Sequence, residues 1–179
     1  MNWPKLTKGN LIIIFLSSVF FLSLLFIGHS AYQRFLIILP IQKQLAELSP
    51  VKEAAIEFEN GDLFITVGLD EVKNLQDSYN EVRNVLPKQG KYSLDIVDNR
   101  DEYLDDLWRK SRFAIEEAAI LNNLVTGKEI IDKYFSEVEI NKWLFEVDED
   151  YLYFQLHNKN RYLYEIIPRN RIDSVNKSK

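Results

Sequence analysis

Residues 142–167 read KWLFEVDEDYLYFQLHNKNRYLYEII, and this stretch decides the fold class. Three short segments rich in aromatic and aliphatic residues are separated by DED and HNKN, which are typical turn sequences. The spacing predicts an antiparallel meander of three strands. Tyrosine supplies rigid amphipathic contact area for a protein or glycan, although packing of the same rings inside the fold is the competing interpretation. The candidate partner-facing tyrosines are Tyr151, Tyr153, Tyr162 and Tyr164.

Two helices are predicted upstream of the meander. From about residue 101 to 123, an inner stripe recurs at helical spacing, formed by Leu104, Leu107, Trp108, Ser111, Ile115, Ala118 and Asn122. The sequence VTGKE at 125–129 predicts a break, and a second helix is predicted to start at about residue 128.

The first of these helices starts in an acidic run, DNRDEYLDDLW at 98–108. A calcium-binding EF-hand loop is excluded, because its third and sixth positions would be arginine and tyrosine. Asp98 or Asn99 is expected to cap the helix, with the remaining carboxylates in the first turns, where the helix dipole favours negative charge. Asp101 and Asp105 are further candidate partner-facing residues, on an acidic surface that a basic partner could contact.

Residues 51–67 change to a period of two around an NGD turn, which predicts a β-hairpin. Residues 70–86 have helical spacing with Asp70 as the expected N-cap, and residues 91–97 form a third strand.

The resulting order α-β-β-α-β, from residue 43 to 97, is similar to that of small split modules in bacterial envelope proteins, such as ring-forming and BON-type domains. The similarity is one of element order. Together with the two helices and the meander downstream, this element order predicts an α+β fold, a compact ββαβ-αα-βββ domain with an antiparallel sheet.

Residues 11–28, LIIIFLSSVFFLSLLFIG, carry no charge and would form a helix of about 27 Å, close to the thickness of a bilayer's hydrocarbon core. They are predicted to form a transmembrane helix; a cleaved signal peptide and a buried helix are the alternatives. Lys5 and Lys8 precede the run, and all acidic residues follow it, which favours a cytoplasmic N-terminus.

The predicted organisation has five parts and places the protein in the plasma or inner membrane with a single span. The five parts are a cytoplasmic N-terminus (1–9), a transmembrane helix (10–28), a juxtamembrane helix or stalk (29–50), an extracytoplasmic α+β domain (51–167) and a basic flexible tail (168–179). A kink is expected in the stalk at Pro40.

Composition excludes several kinds of chemistry. Beyond Arg34 the chain carries 19 basic and 27 acidic residues, a net charge of −8, which argues against nucleic-acid binding. The chain has no cysteine, only two histidines (His29 and His157), and no glycine-rich phosphate motif, so no catalytic residue, metal ligand or cofactor-binding residue is assigned. Pairs of carboxylates remain open as a catalytic arrangement.

These observations favour a membrane-anchored, non-catalytic accessory or scaffolding module of an envelope assembly, whose partners are the bilayer and another protein or a second copy of itself. The alternative is a membrane-anchored hydrolase that uses carboxylates on a polysaccharide or cell-wall substrate. A pseudopilin-like subunit is a minor alternative. The sequence KGNLIIIF has the Lys-Gly pair of such proteins, but Ile14 stands where they would have glutamate, and Asn10 replaces their aromatic residue.

Overall fold

The computed structural model describes residues 8–59, 62–88, 91–121 and 123–169. Within these ranges the chain is a mixed α+β protein with five α-helices and two three-stranded sheets. It divides into two compact units, Met1–Lys43 and Gln44–Lys179. The predicted NGD turn lies largely outside the described residues, as does most of the predicted basic tail.

Residues 8–46 are helical. Helix α1 spans Lys8–Gln33, a π-helical turn follows at Arg34–Ile38, and α2 spans Leu39–Ala46. Pro40 has no N–H to donate to the preceding turn, which accounts for the wider turn immediately before it. The side chains of residues 12–28 are all exposed. Within the described residues, no helix combines the length and apolar character needed to cross a bilayer.

Sheet A opens the second unit. Strands β1 (Val51–Glu59) and β2 (Asp62–Leu69) pair antiparallel, and β3 (Tyr92–Val97) pairs with β2 in parallel. The predicted strands and the helix between them are confirmed, but the prediction of an antiparallel sheet is wrong for this sheet, because β2 and β3 are parallel. Helix α3 (Leu75–Val85) carries the chain from β2 back to the same end of the sheet, so β3 has to run parallel to β2.

Helix α3 starts later than the sequence predicts. Its N-cap is Asn74, whose Oδ1 accepts a hydrogen bond from the N–H of Asp77 at 3.0 Å. Asp70 therefore does not cap the helix. Residues 70–74 form a loop instead, because their backbone groups bond to side chains of the second sheet.

Helices α4 (Glu102–Leu121) and α5 (Leu124–Ser136) form an antiparallel pair. The N-cap of α4 is Asp101, whose Oδ1 accepts from the N–H of Leu104 at 2.9 Å, so the expected caps Asp98 and Asn99 were wrong. The break predicted at VTGKE is also wrong, since Thr126 and Gly127 lie inside α5. A Cβ on Gly127 would lie 2.3 Å from the Cβ of Ala118, so glycine here permits close packing and does not end a helix.

Gly127→Ala should therefore destabilise the protein, although alanine is the better helix former by about 1 kcal/mol. We expect the free energy of unfolding to fall by about 2 kcal/mol, because α5 must move away from α4. Urea unfolding of the full-length chain in mild detergent measures this. The double variant Gly127→Ala with Ala118→Gly should recover most of the loss. A single variant as stable as the wild type would show that the helices are not in close contact.

Sheet B is the predicted antiparallel meander of β4 (Lys142–Val147), β5 (Tyr151–Asn158) and β6 (Arg161–Pro168). One face of the sheet packs on α4 and α5, and Phe154 contacts both Trp108 and Phe135. The buried residues of this core are Leu104, Leu107, Trp108, Ile115, Ala119, Ile131, Phe135, Leu152, Phe154, Leu156 and Leu163.

Candidate interaction groove

The tyrosine surface predicted from the sequence is an interior one. Tyr153 is 1% exposed, Tyr162 and Tyr164 are buried, and Tyr151 is partly exposed. Three of the four candidates therefore cannot face a partner. The face of sheet B that carries them is covered by residues 69–75 and by α3, where the ring of Tyr79 packs edge-on against Tyr151 and Tyr153.

The phenol groups connect the two sheets through the loop after β2. The hydroxyl of Tyr164 accepts from the N–H of Val72 at 2.8 Å and donates to the carbonyl of Asp70 at 3.1 Å. The hydroxyl of Tyr162 donates to the carbonyl of Leu69 at 3.1 Å. Each buried hydroxyl thus has a partner, which removes most of the cost of burying it.

A second connection runs through two polar side chains of β5 that are almost fully buried, Gln155 and His157. The Oε1 of Gln155 accepts from the N–H of Leu75 at 2.6 Å, and its Nε2 contacts both the carbonyl of Lys73 at 3.2 Å and the Nε2 of His157 at 2.9 Å. The Nδ1 of His157 lies 3.1 Å from Oε1 of Glu71. Because the Gln155 amide donates to Nε2, the proton of neutral His157 is on Nδ1, facing Glu71.

Stability should decrease in acid because of His157. Burial lowers the pKa of its imidazole, and Glu71 opposes that shift. The unfolded chain therefore takes up the proton first, and the contribution of His157 is complete above about pH 6.5 and decreases as the pH falls below it, by at most about 1.4 kcal/mol per pH unit.

Urea unfolding at pH 8, 6.5 and 5 measures this dependence for the wild type and for His157→Gln. The variant should be less stable at pH 8 and should lose less stability on acidification. Identical pH slopes for the two proteins would contradict a neutral buried His157.

The acidic run contributes an ion-pair cluster as well as the helix start. The guanidinium of Arg100 binds Asp98 at 2.7 Å and Glu165 of β6 at 2.8 Å, and it also donates to the carbonyl of Tyr164. The Asp98 side chain is only 3% exposed, and its Oδ2 accepts from the N–H of Tyr164 at 2.8 Å. Asp105 remains on the surface, near Arg109. Residues 98–100 therefore bind the outer edge of β6.

Strands β3 and β6 approach each other at one point and then diverge. Asn99 forms an antiparallel bridge with Tyr162, whose N–H donates to the carbonyl of Asn99 at 3.4 Å. Beyond this bridge a groove of about 470 Å³ lies between the two strands. Its walls include residues 92–96 of β3 and residues 164–166 and 168 of β6, with Tyr151 at the side.

The register shows which backbone groups face the groove. Leu63 of β2 donates its N–H to the carbonyl of Lys91 at 3.1 Å. In a parallel ladder this directs residues 93, 95 and 97 towards β2 and residues 92, 94 and 96 away from it. On β6, the N–H groups of Tyr162 and Tyr164 point away from β5. Because alternate residues of a strand direct their backbone groups to the same side, the N–H and carbonyl of Ile166 also point away from β5. Within the described residues, no hydrogen bond occupies the outward groups of Leu94, Ile96 or Ile166.

Two carboxylates line this groove in different surroundings. Asp95 is exposed. Glu165 is partly buried, and burial raises the pKa of its carboxyl group, an effect that Arg100 opposes. Among the described residues, no group of three or more histidines and carboxylates is arranged to hold a metal ion.

The chain matches no protein-family model, no curated protein and no solved structure. Sequence reasoning missed Arg100 and Glu165, which are 65 residues apart in the chain and carry no motif. It predicted β3 but had no signal that both β3 and β6 would be edge strands.

Proposed function

We propose that this protein is a membrane-anchored, non-catalytic interaction module of an envelope assembly, which binds a partner protein in the groove between β3 and β6. One observation carries the proposal, namely two strand edges that face each other with free backbone groups on both. Open strand edges are recognition sites for extended polypeptides, and natural proteins usually block those that are not used.

The anchor is proposed to be residues 11–28, which would hold the chain in the plasma or inner membrane with the domain outside. Exposed apolar side chains cover every side of the helix, including Phe15, Phe20 and Leu25, as expected of a helix surrounded by lipid. The hydroxyls of Ser17 and Ser23 donate to carbonyls of their own helix, so neither needs water. The proposal rests on the uncharged sequence of residues 11–28 and on the exposure of residues 12–28.

Fractionation and protease accessibility test the anchor. The full-length protein should stay in the membrane pellet after a carbonate wash, and a variant with Phe20→Asp and Leu24→Asp should be released. Protease added to intact cells should remove the domain. Release of the wild type, or full protection of its domain, would contradict the anchored arrangement.

Site-specific photo-crosslinking in native membranes tests the groove. A benzophenone amino acid at Ser93, which is exposed on the groove wall, should give a discrete adduct with a partner protein. The matched control is the same amino acid at Glu129, which is exposed on α5 and does not line the groove. No adduct at position 93, or identical adducts at both positions, would overturn the proposed site.

A carboxylate-dependent hydrolase is the second candidate, because Asp95 and Glu165 line the same groove in unequal surroundings. Against it, Oε1 of Glu165 is bound by Arg100 at 2.8 Å and is not free for a substrate. The test is whether the protein releases reducing ends from purified cell-wall polysaccharide. Activity that both Asp95→Asn and Glu165→Gln abolish would establish the hydrolase.

A further inference from the structure

We infer that the groove takes an extended polypeptide segment of alternating basic and apolar residues, which adds to sheet A as a fourth strand along β3. This inference rests on the proposed function, since it specifies the ligand of the same groove. It follows from the backbone register, the alternation of side chains along β3 and the charge of the domain.

The backbone of β3 offers a ladder with regular spacing. The N–H and carbonyl groups of Tyr92, Leu94 and Ile96 point into the groove, and the five residues from 92 to 96 span about 16 Å of strand. Strand addition uses such alternate groups to bind the main chain of a peptide. The groove volume of about 470 Å³ lies within the usual range for ligand sites.

The side chains of β3 determine what the added strand should carry. Successive side chains of a strand point to opposite faces, and neighbours in adjacent strands share a face. On one face the ligand would lie beside Ser93 and Asp95, which are exposed. On the other face it would lie beside the half-buried Leu94 and Ile96, in a groove whose opposite wall includes Ile166. The ligand positions beside Ser93 and Asp95 therefore suit basic side chains, and the ligand positions beside Leu94 and Ile96 suit apolar ones.

The charge of the whole domain favours the same ligand. Residues 44–169 contain 15 basic and 26 acidic side chains, a net charge of −11. The arginine that lines the groove, Arg100, is already bound to Asp98 and Glu165, whereas Asp95 on the opposite wall is exposed. A basic segment is therefore attracted to the groove, and an acidic one is repelled.

Three synthetic probes test the inference with the full-length protein in nanodiscs. The first is a fluorescein-labelled peptide of alternating lysine and valine, the second alternates glutamate and valine, and the third is the basic peptide with every backbone amide N-methylated. We expect the first probe to bind at least about tenfold more tightly than either of the others, because only it has both the charge and the backbone donors.

Leu94→Pro is the decisive variant. The N–H of Leu94 faces the groove and is not used by the β2–β3 ladder, so proline removes a ligand contact without removing a bond within the sheet. We expect the basic probe to bind about tenfold more weakly to Leu94→Pro, and less than about threefold more weakly to the matched control Leu94→Ala. Asp95→Lys should weaken the basic probe and strengthen the acidic one.

Circular dichroism of each variant establishes that it is folded. Tight binding of the N-methylated probe, equal binding to Leu94→Pro and wild type, or no binding of the basic probe would overturn strand addition. The photo-adduct at Ser93 does not depend on these probes. If that adduct forms while the probes fail, the groove remains an interaction site with a different ligand, and if the adduct also fails, the proposed function fails with it.

Discussion

Replacing Arg100 with methionine is expected to lower the free energy of unfolding by about 3 kcal/mol. Asp98 is almost fully buried and would lose its cationic partner, and removing one member of a buried ion pair typically costs about 3 to 5 kcal/mol. We expect a loss at the lower end of this range, because the guanidinium itself is about one-third exposed to solvent. Glu165 would lose its partner at the same time.

Urea unfolding of the full-length chain in mild detergent measures this loss. Arg109→Met is the matched control on α4. Arg109 is 62% exposed and lies no closer than 3.7 Å to its carboxylates, so we expect a change below about 0.5 kcal/mol. A similar small change for Arg100→Met would mean that the cluster does not hold residues 98–100 against β6.

Gln155→Leu should be the second most destabilising of these changes, at about 2 to 3 kcal/mol. Leucine keeps the volume but leaves the buried N–H of Leu75 without an acceptor. The carbonyl of Lys73 loses one donor and keeps the Nζ of Lys142 at 2.7 Å. Each unsatisfied buried group costs about 1 to 3 kcal/mol. The neighbouring His157 also loses its contact with the amide.

Tyr162→Phe provides an internal comparison at the same interface, because it removes one hydroxyl donor to Leu69 and leaves the ring in place. Its expected cost is about 1 kcal/mol by the same unfolding assay. If Gln155→Leu were as stable as the wild type, the loop of residues 70–74 would have to be held by contacts other than those with β5.

Local sequence patterns predicted the element order well, because periods of 2 and 3.6 record which side of each element is buried. Helix ends were predicted less well. Asp70 and Asn74 are both good N-caps by residue type, and the choice of Asn74 follows from bonds between the loop and Gln155 and Tyr164, far along the chain. The sequence predicted a helix break at Gly127. Its actual role, close contact with Ala118 of α4, depends on another helix and is not visible in the local pattern.

The candidate site was harder to predict for the same reason. Alternation within each strand could not place Tyr153, Tyr162 and Tyr164 on one face, because that depends on the register between β5 and β6. Only the tertiary structure shows that they share a face and that this face is covered. The pattern of residues 92–97 predicts a strand without showing what lies beside it. An open edge is a property of the sheet and of its neighbour β6, and single-strand periodicity contains no information on it.

The exchange rates of backbone amides on β3 test the groove most directly. In two-dimensional NMR of the full-length protein in nanodiscs, the N–H groups of Leu94 and Ile96 should exchange rapidly in the free protein and at least about tenfold more slowly with saturating lysine–valine probe. Ser93 and Asp95, already bonded to β2, should change much less. Protection of Leu94 and Ile96 is the predicted result. Unchanged exchange at both residues while the probe is bound would contradict strand addition in the groove.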